Sequence, residues 1–519
     1  MRSPSGPAPF PSGGIARRRH RTAAAILGRR SAWQLRCPPS DPRGEGRPTI
    51  DRVVLSFCSL SLLLLLGQFV RSRVRWTQRL LLPASVIGGV IGLVIIQALG
   101  RNVPGAPPVI STATAGWSAL PGLLINVVFA TLFLGAAIPP LRRVWRISGP
   151  QLAYGQVVAW GQYAVGLGLT LLVLSRAFDL PPMFGAIIPV GFEGGHGTAA
   201  GLAGVFAEKG WPDGLHLALG SATVGVVGGV SIGMALINWA ARRRYCRGAA
   251  DQCDESGTCG DGIFARPERP AAGLLTFRPE SAESLAIHLA VVGVAVLIGF
   301  VLKNALGAME GLWLTNPENA ILGSFPLFPL AMLGGVAVQK LFDRFDRRDV
   351  LDRGTMQRLQ GLALDYLIVA ALATLKIEAI VSNLTPFVIL MVAGIAWNVL
   401  CVVFLARRML PDSWFERSVA EFGQSTGVTA TGILLLRVAD PGFRTKAADA
   451  FAYKQLLHEP FMGGGLWTST VIPLLYVFRA NPWPIWWITI GAIGIWLFVR
   501  FVLFRRAWKP DIPFEQEHP

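Results

Sequence analysis

Apolar runs of about twenty residues recur from Val53 to near the end of the chain. Runs of that length match the hydrocarbon thickness of a bilayer when helical, and inside a bilayer every backbone polar group must be satisfied within the protein. Of 519 residues, 52% are hydrophobic and 15% charged, against about 25% charged in soluble domains. The chain is therefore expected to be an all-α integral membrane protein. Full spans are predicted at about 53–70, 80–99, 120–138, 152–174, 215–240, 285–306, 321–342, 359–381, 387–405, 448–477 and 483–504. The net charge of +17 does not point to nucleic acid, because residues 1–52 alone hold 11 Lys/Arg against 3 Asp/Glu. Most of the remainder sits in short loops, where basic residues set topology. Residues 1–52 are rich in Arg, Pro, Gly and Ser and are expected to form a disordered tail. Ala23–Leu27 is too short for a signal-peptide core, so no cleaved signal is expected.

Two apolar stretches are interrupted. Ile187–Gly204 breaks at Glu193-Gly194-Gly195-His196-Gly197-Thr198, and Ser418–Val438 contains Glu421, Gln424, Ser425, Thr426 and Gly427. A glycine-rich packing seam accounts for the glycines but not for Glu193 and His196. Ionisable groups at membrane depth mark functional sites, and irregular backbone is tolerated there only against protein or a water-filled cavity. The chain also repeats itself. Pro83, Gly88, Gly89 and Val90 recur with the same spacing as Pro329, Gly334, Gly335 and Val336, the two broken stretches correspond, and Gly225–Gly229 is matched by Gly463–Gly465. With the N-terminus outside and both broken stretches re-entrant, the inner loops carry 30 Lys/Arg and the outer loops five. Each half then has five spans and the halves are inverted, the pattern of a secondary transporter. Residues 53–241 and 283–478 would be the two repeats, 242–282 a cytoplasmic linker, and 479–519 an extra span and tail.

Gly191-Phe-Glu-Gly-Gly-His-Gly-Thr198, Gly220–Gly225, Phe422–Thr431, Phe129–Gly135 and Ala373–Lys376 resemble segments of the sodium/glutamate symporters. The likeness covers roughly Val53–Val477. It implies sodium-coupled symport of glutamate or a related anionic amino acid by alternating access, two inverted five-span repeats with re-entrant hairpins, and a homodimer. Sodium would be the coupling ion, with no further cofactor or metal. On this reading Gly194, Gly195, His196, Gly197, Thr198, Gly427, Thr429 and Thr431 bind substrate, while Glu193, Gln162, Ser425 and Thr426 bind the cation. Lys376 either binds a substrate carboxylate or is neutralised by Glu378, and Gln162 either supports a hairpin or joins helices. His458 and Glu459 precede Pro460, as in a polar helix break facing the second hairpin or a structural pair.

The departures from the family pattern are Glu193, where a small hydroxyl residue is expected, the more polar Phe422–Gly427 run preceded by Glu421, and the extra span. They keep open a proton-coupled organic-anion carrier using Glu193 and His196, and a non-transporting sensor or scaffold. No nucleophile–base triad, phosphate loop or metal-ligand cluster appears in the sequence, so an enzyme is not expected. Cys246, Cys253 and Cys259 lack a zinc spacing and read as free cytoplasmic thiols.

Overall fold

The computed structural model describes residues 50–79, 82–102, 114, 116–117, 119–136, 141–246, 269, 271–313, 320–346, 348–440 and 445–504. The expected N-terminal tail, Cys253 and Cys259, and most of the central linker lie outside them. The described residues are helical and contain no strand. The principal helices are α1 (Ile50–Arg73), α2 (Ala84–Asn102), α3 (Leu120–Ala130), α4 (Leu141–Leu169) and α5 (Asp213–Arg242). They continue as α6 (Ser284–Gly311), α7 (Leu327–Phe345), α8 (Arg353–Ala373), α9 (Leu384–Leu400) and α10 (Trp414–Ala439). The last are α11 (Ala447–His458), α12 (Leu466–Val477) and α13 (Trp483–Phe498). Among the described residues six helices are long and apolar enough to cross a membrane: Val53–Arg73, Ile147–Phe178, Asp213–Arg242, Ser284–Gly311, Leu384–Met409 and Trp483–Leu503.

Three predicted spans are interrupted. The one expected over 120–138 stops helically at Ala130, and Gly135 takes φ +68°. Arg353 donates to the carbonyls of Thr131 and Leu134, both at 3.0 Å, which satisfies acceptors that the ended helix leaves free. The span expected over 359–381 breaks at Thr374–Lys376 before a short helix Ile377–Ser382. The span expected over 448–477 is two helices, α11 and α12, separated by Glu459–Gly465. Pro460 lacks a backbone donor, and Gly464 adopts φ +87°. The sequence match of Gly463–Gly465 to Gly225–Gly229 therefore pairs a break with an unbroken helix, since α5 runs through its glycines. Lys454, counted above with the loop cations, is a wholly buried residue of α11.

Helices α1, α2, α3, α6, α7 and α8 pack mainly on one another, and α4, α5 and α9–α13 do likewise around the two broken stretches. The paired glycines show why. A Cβ on Gly88 would stand 2.5 Å from the Leu63 carbonyl oxygen of α1, and one on Gly334 would strike the Ala295 carbonyl of α6. Their neighbours face the opposite half: Gly89 lies on Leu372 of α8, and Gly335 on Ala130 of α3. Both α4 and α9 end in a π-helical turn, Thr170–Leu174 and Cys401–Leu405, shortly before a broken stretch.

Candidate functional site

The first broken stretch, residues 182–208, doubles back on itself. Phe184 near its start and Phe206 near its end both lie against Trp211, with ring centroids 6.4 and 5.7 Å away. Its middle reaches halfway along α5. A Cβ on Gly191 would stand 2.6 Å from Ser221 Cβ, one on Gly225 would stand 2.8 Å from Phe192 Cδ1, and His196 Nε2 is 3.0 Å from Thr223 Oγ1. The turn is made by Gly195, at φ +67°, where a side chain is strained.

α10 also doubles back, at Gly427 and Val428, whose backbone is non-helical. A Cβ on Gly423 would stand 2.7 Å from Gly432 Cα, nine positions along, which a straight helix does not permit. Both of its ends lie toward the C-terminal end of α5: Trp414 stacks edge-on against Tyr245 at 5.3 Å, and Leu435 packs on Gly233. The two turns thus approach the middle of α5 from opposite ends. They touch there, since a Cβ on Gly195 would stand 2.6 Å from Val428 Cγ1.

A buried polar network surrounds this contact. Glu193 Oε2 accepts from Gln424 Nε2 at 2.8 Å and lies 3.0 Å from His458 Nε2. Gln156 Nε2 is 3.3 Å from the other ring nitrogen of His458, and Trp160 donates to Gln156 Oε1 at 3.0 Å. Lys454 Nζ donates to Glu421 Oε1 at 2.7 Å and to Gln424 Oε1 at 3.1 Å, while Gln151 donates to Glu421 Oε2 at 3.0 Å. Glu459 accepts from the Thr429 hydroxyl, which also receives a bond from Gln455. Gln162 Nε2 donates to the Ser425 carbonyl at 2.6 Å and to Asn398 Oδ1 at 3.2 Å. Six buried oxygens here make no well-formed hydrogen bond: Glu193 Oε1, Gln151 Oε1, Gln162 Oε1, Ser425 Oγ, Gln455 Oε1 and Thr198 Oγ1. Unpaired buried oxygens are costly, and a hard cation or a donor offsets that cost.

The candidates named from the sequence divide as follows. Glu193, Gly195, Gln162 and Ser425 converge on the tip contact. Thr198 is buried, with a Cβ on Gly464 placed 3.2 Å from its Cβ, and Gly197 packs on Ile125. Gly194 folds against Thr198, and Thr431 against Gly427. Thr426 bonds the Phe422 carbonyl at 2.7 Å and lies over Gly229 of α5. His196 serves Thr223 rather than Glu193; the histidine on Glu193 is His458, which therefore faces the first broken stretch while Glu459 faces the second. Lys376 is exposed at the break after α8, its N–H donating to His216 Nδ1 at 3.2 Å, and it is apart from this cluster. Gln151, Gln156, Lys454 and Gln455 were not singled out from the sequence, and Gln424 was named there only as part of the second broken stretch. The available signal was Lys454, Gln455, His458 and Glu459, four polar residues recurring on one helical face of an apolar stretch.

A family model described as sodium/glutamate symporter matches residues 50–435, most of the chain. The chain belongs to this family. A sodium/glutamate symporter of Haemophilus influenzae is 23% identical over 410 residues, which cover 78% of this chain and 91% of that protein. The chain is thus a divergent symporter-family member, a multi-pass membrane transporter and not an enzyme. Both doubled-back turns fall inside the matched residues, whereas Lys454, Gln455, His458 and Glu459 lie beyond residue 435.

Proposed function

We propose that this symporter-family protein couples sodium to the uptake of glutamate or a related anionic amino acid by alternating access. The observation that carries the reading is the tip-to-tip contact of Gly195 and Val428, made by segments that reach the middle of α5 from opposite ends. In this reading both are re-entrant hairpins of two inverted repeats, residues 53–241 and 283–478. The exchanged packing of Gly89 on α8 and Gly335 on α3 supports the same pseudo-two-fold relation.

Electrostatics argues for a coupled cation. Glu193 is a buried carboxylate and Glu459, next in sequence to its partner His458, a half-buried one, and an anion brought beside them is repelled strongly in a low dielectric. Sodium held by Glu193 Oε1, Gln162 Oε1 and Ser425 Oγ, with Thr426 beside them, removes that repulsion and so links anion binding to sodium. The substrate carboxylate is then met by the backbone N–H groups of Gly195–Gly197 within the Gly194–Thr198 turn, by the Thr198 hydroxyl, and by the hydroxyls of Thr429 and Thr431 at the second hairpin turn after Gly427. Lys376 is exposed, and this reading gives it no role at the site. The linker 242–282 is cytoplasmic on this topology; labelling of a cysteine at position 269 by an impermeant reagent in intact cells would refute that. The functional test is uptake of labelled glutamate and aspartate into proteoliposomes with an inward sodium gradient, against choline. Sodium-stimulated uptake is expected. Uptake indifferent to sodium, or none from folded protein with any acidic amino acid, overturns the reading.

A further inference from the structure

The Lys454–Glu421 pair has a part that the reading above does not use. Neither side chain has any exposed surface. The ammonium is held by Glu421 Oε1 and Gln424 Oε1, with the Phe451 ring centroid 5.9 Å away. Glu421 Oε2 is taken by Gln151, so both of its oxygens are filled. The pair has its own space: a Cβ on Gly155 of α4 would stand 2.5 Å from Glu421 Oε1 and 2.7 Å from Lys454 Cε. Gln424 then joins the pair to Glu193 through its other amide atom, at 2.8 Å. Two acidic side chains therefore flank one glutamine. Glu193 retains an oxygen with no well-formed hydrogen bond, and Glu421 retains none.

A buried carboxylate must be neutralised by something, because an uncompensated charge in a low-dielectric interior is very costly. A carboxylate oxygen and an amide oxygen side by side are hard-cation ligands, and here an ammonium on a four-carbon tether occupies them. We infer that Lys454 is a tethered cation, filling beside Glu421 and Gln424 a position that an exchangeable ion would otherwise take. Glu421 is then compensated in every state of the cycle, and only the Glu193 side of the network depends on an ion from solution. The consequence for ion coupling rests on the sodium-symport reading; the site itself rests on the geometry of the pair.

The test uses the full chain purified in detergent, with sodium chloride replaced stepwise by choline chloride at constant ionic strength and the melting temperature as readout. Lys454→Met leaves Glu421 and Gln424 without their cation. This variant is expected to melt lower than wild type in choline and to recover as sodium rises, by a few degrees more than wild type over the same range. Lys454→Met combined with Glu421→Gln removes both charges and is expected to return to the wild-type sodium dependence. Lys454→Arg, which keeps the charge, is expected to behave as wild type does. A Lys454→Met variant with wild-type sodium dependence overturns the inference, as does an extra sodium dependence that persists in the double variant. So does a Lys454→Met variant that fails to fold in high sodium while the double variant folds, because sodium then does not replace the ammonium. If neither folds, the lysine is a packing element and the inference also fails. These melts need no transport, so an absence of sodium-driven uptake by wild type would overturn the symport reading and leave their result standing.

Discussion

Gly195→Ala tests the tip contact directly, and Val428→Gly reports whether the effect passes through it. At φ +67° an alanine costs about 1–2 kcal/mol in backbone energy. Its Cβ would also meet Val428 Cγ1 at 2.6 Å, well inside van der Waals separation, and overpacking of that kind costs about 1–3 kcal/mol. The sum, about 2–5 kcal/mol, corresponds to a loss of about 30-fold to several-thousand-fold in the population with both tips in place. Uptake per folded molecule is expected to fall accordingly. Val428 sits at φ 59° and ψ 178°, backbone space that is nearly glycine's alone and costs a valine about 1–3 kcal/mol. Val428→Gly relieves that strain, gives up part of a half-buried valine's apolar burial, and is expected to change stability little by itself. It also removes the atom that alanine would strike. In the Val428→Gly background, Gly195→Ala is therefore expected to cost only its backbone part, leaving a coupling energy of about 1–3 kcal/mol between the two sites. Initial uptake rates and melting temperatures of the four proteins, at matched folded concentration, supply the cycle. Equal penalties for Gly195→Ala in both backgrounds would show that the tips do not touch and would remove the observation on which the functional reading stands.

Other consequences are open to single measurements. Glu193→Gln removes the charge while keeping the shape, and hydrogen bonds to charged groups are worth about 1.5–3 kcal/mol; half-saturating sodium for uptake is expected to rise about 10- to 150-fold, and superimposable sodium curves would make Glu193 a bystander. Gln162→Leu strips the donors from the Ser425 carbonyl and Asn398, so a stability loss of about 1–3 kcal/mol is expected, and an unchanged melt would show that the bonds do not hold the doubled-back α10. Asp352 caps α8, accepting from the N–H and hydroxyl of Thr355 at 2.6 and 2.8 Å and from Leu274 N–H at 3.1 Å. Burial alone would raise its carboxyl, but these donors outweigh burial and hold it below the ordinary carboxylate range. Its stabilisation is therefore complete above the unfolded value of about 3.9 and is lost as pH falls through the lower folded value. Asp352→Ala is expected to cost about 0.5–2 kcal/mol at neutral pH, with the gap to wild type closing in acid; a gap that widens in acid would refute the sign.

What was legible in the sequence follows what a local signal can carry. Continuous apolar length marked the long helices, and glycine with ionisable residues marked both doubled-back stretches, because those departures from apolar helix are visible residue by residue. The interruption after Ala130 was not legible. Its backbone acceptors are satisfied by Arg353, which is distant in sequence, and no local pattern announces that donor. The break at Glu459–Gly465 was half legible: His458, Glu459 and Pro460 signalled polarity, but the apolar residues on either side supported one continuous span.

Partner choice was the least legible feature of the site, and the histidines show why. His196 lies three positions after Glu193, so helical spacing favours that pair. The turn at Gly195 abolishes the spacing, sends His196 to Thr223 on α5, and leaves Glu193 to His458 on α11. Lys454 follows the same logic in the opposite sense. Basic residues near span ends are ordinarily topology signals in contact with water, and only the fold brings Glu421 and Gln424 onto α11 to take one of them out of water. The topology argument survives the correction, since removing Lys454 from the inner loops leaves their excess of basic residues almost unchanged. What changes is the charge of the site. With Lys454 and Glu421 cancelling each other, the charge at the meeting of the two tips depends on Glu193 with its partner His458, and on Glu459 beside them.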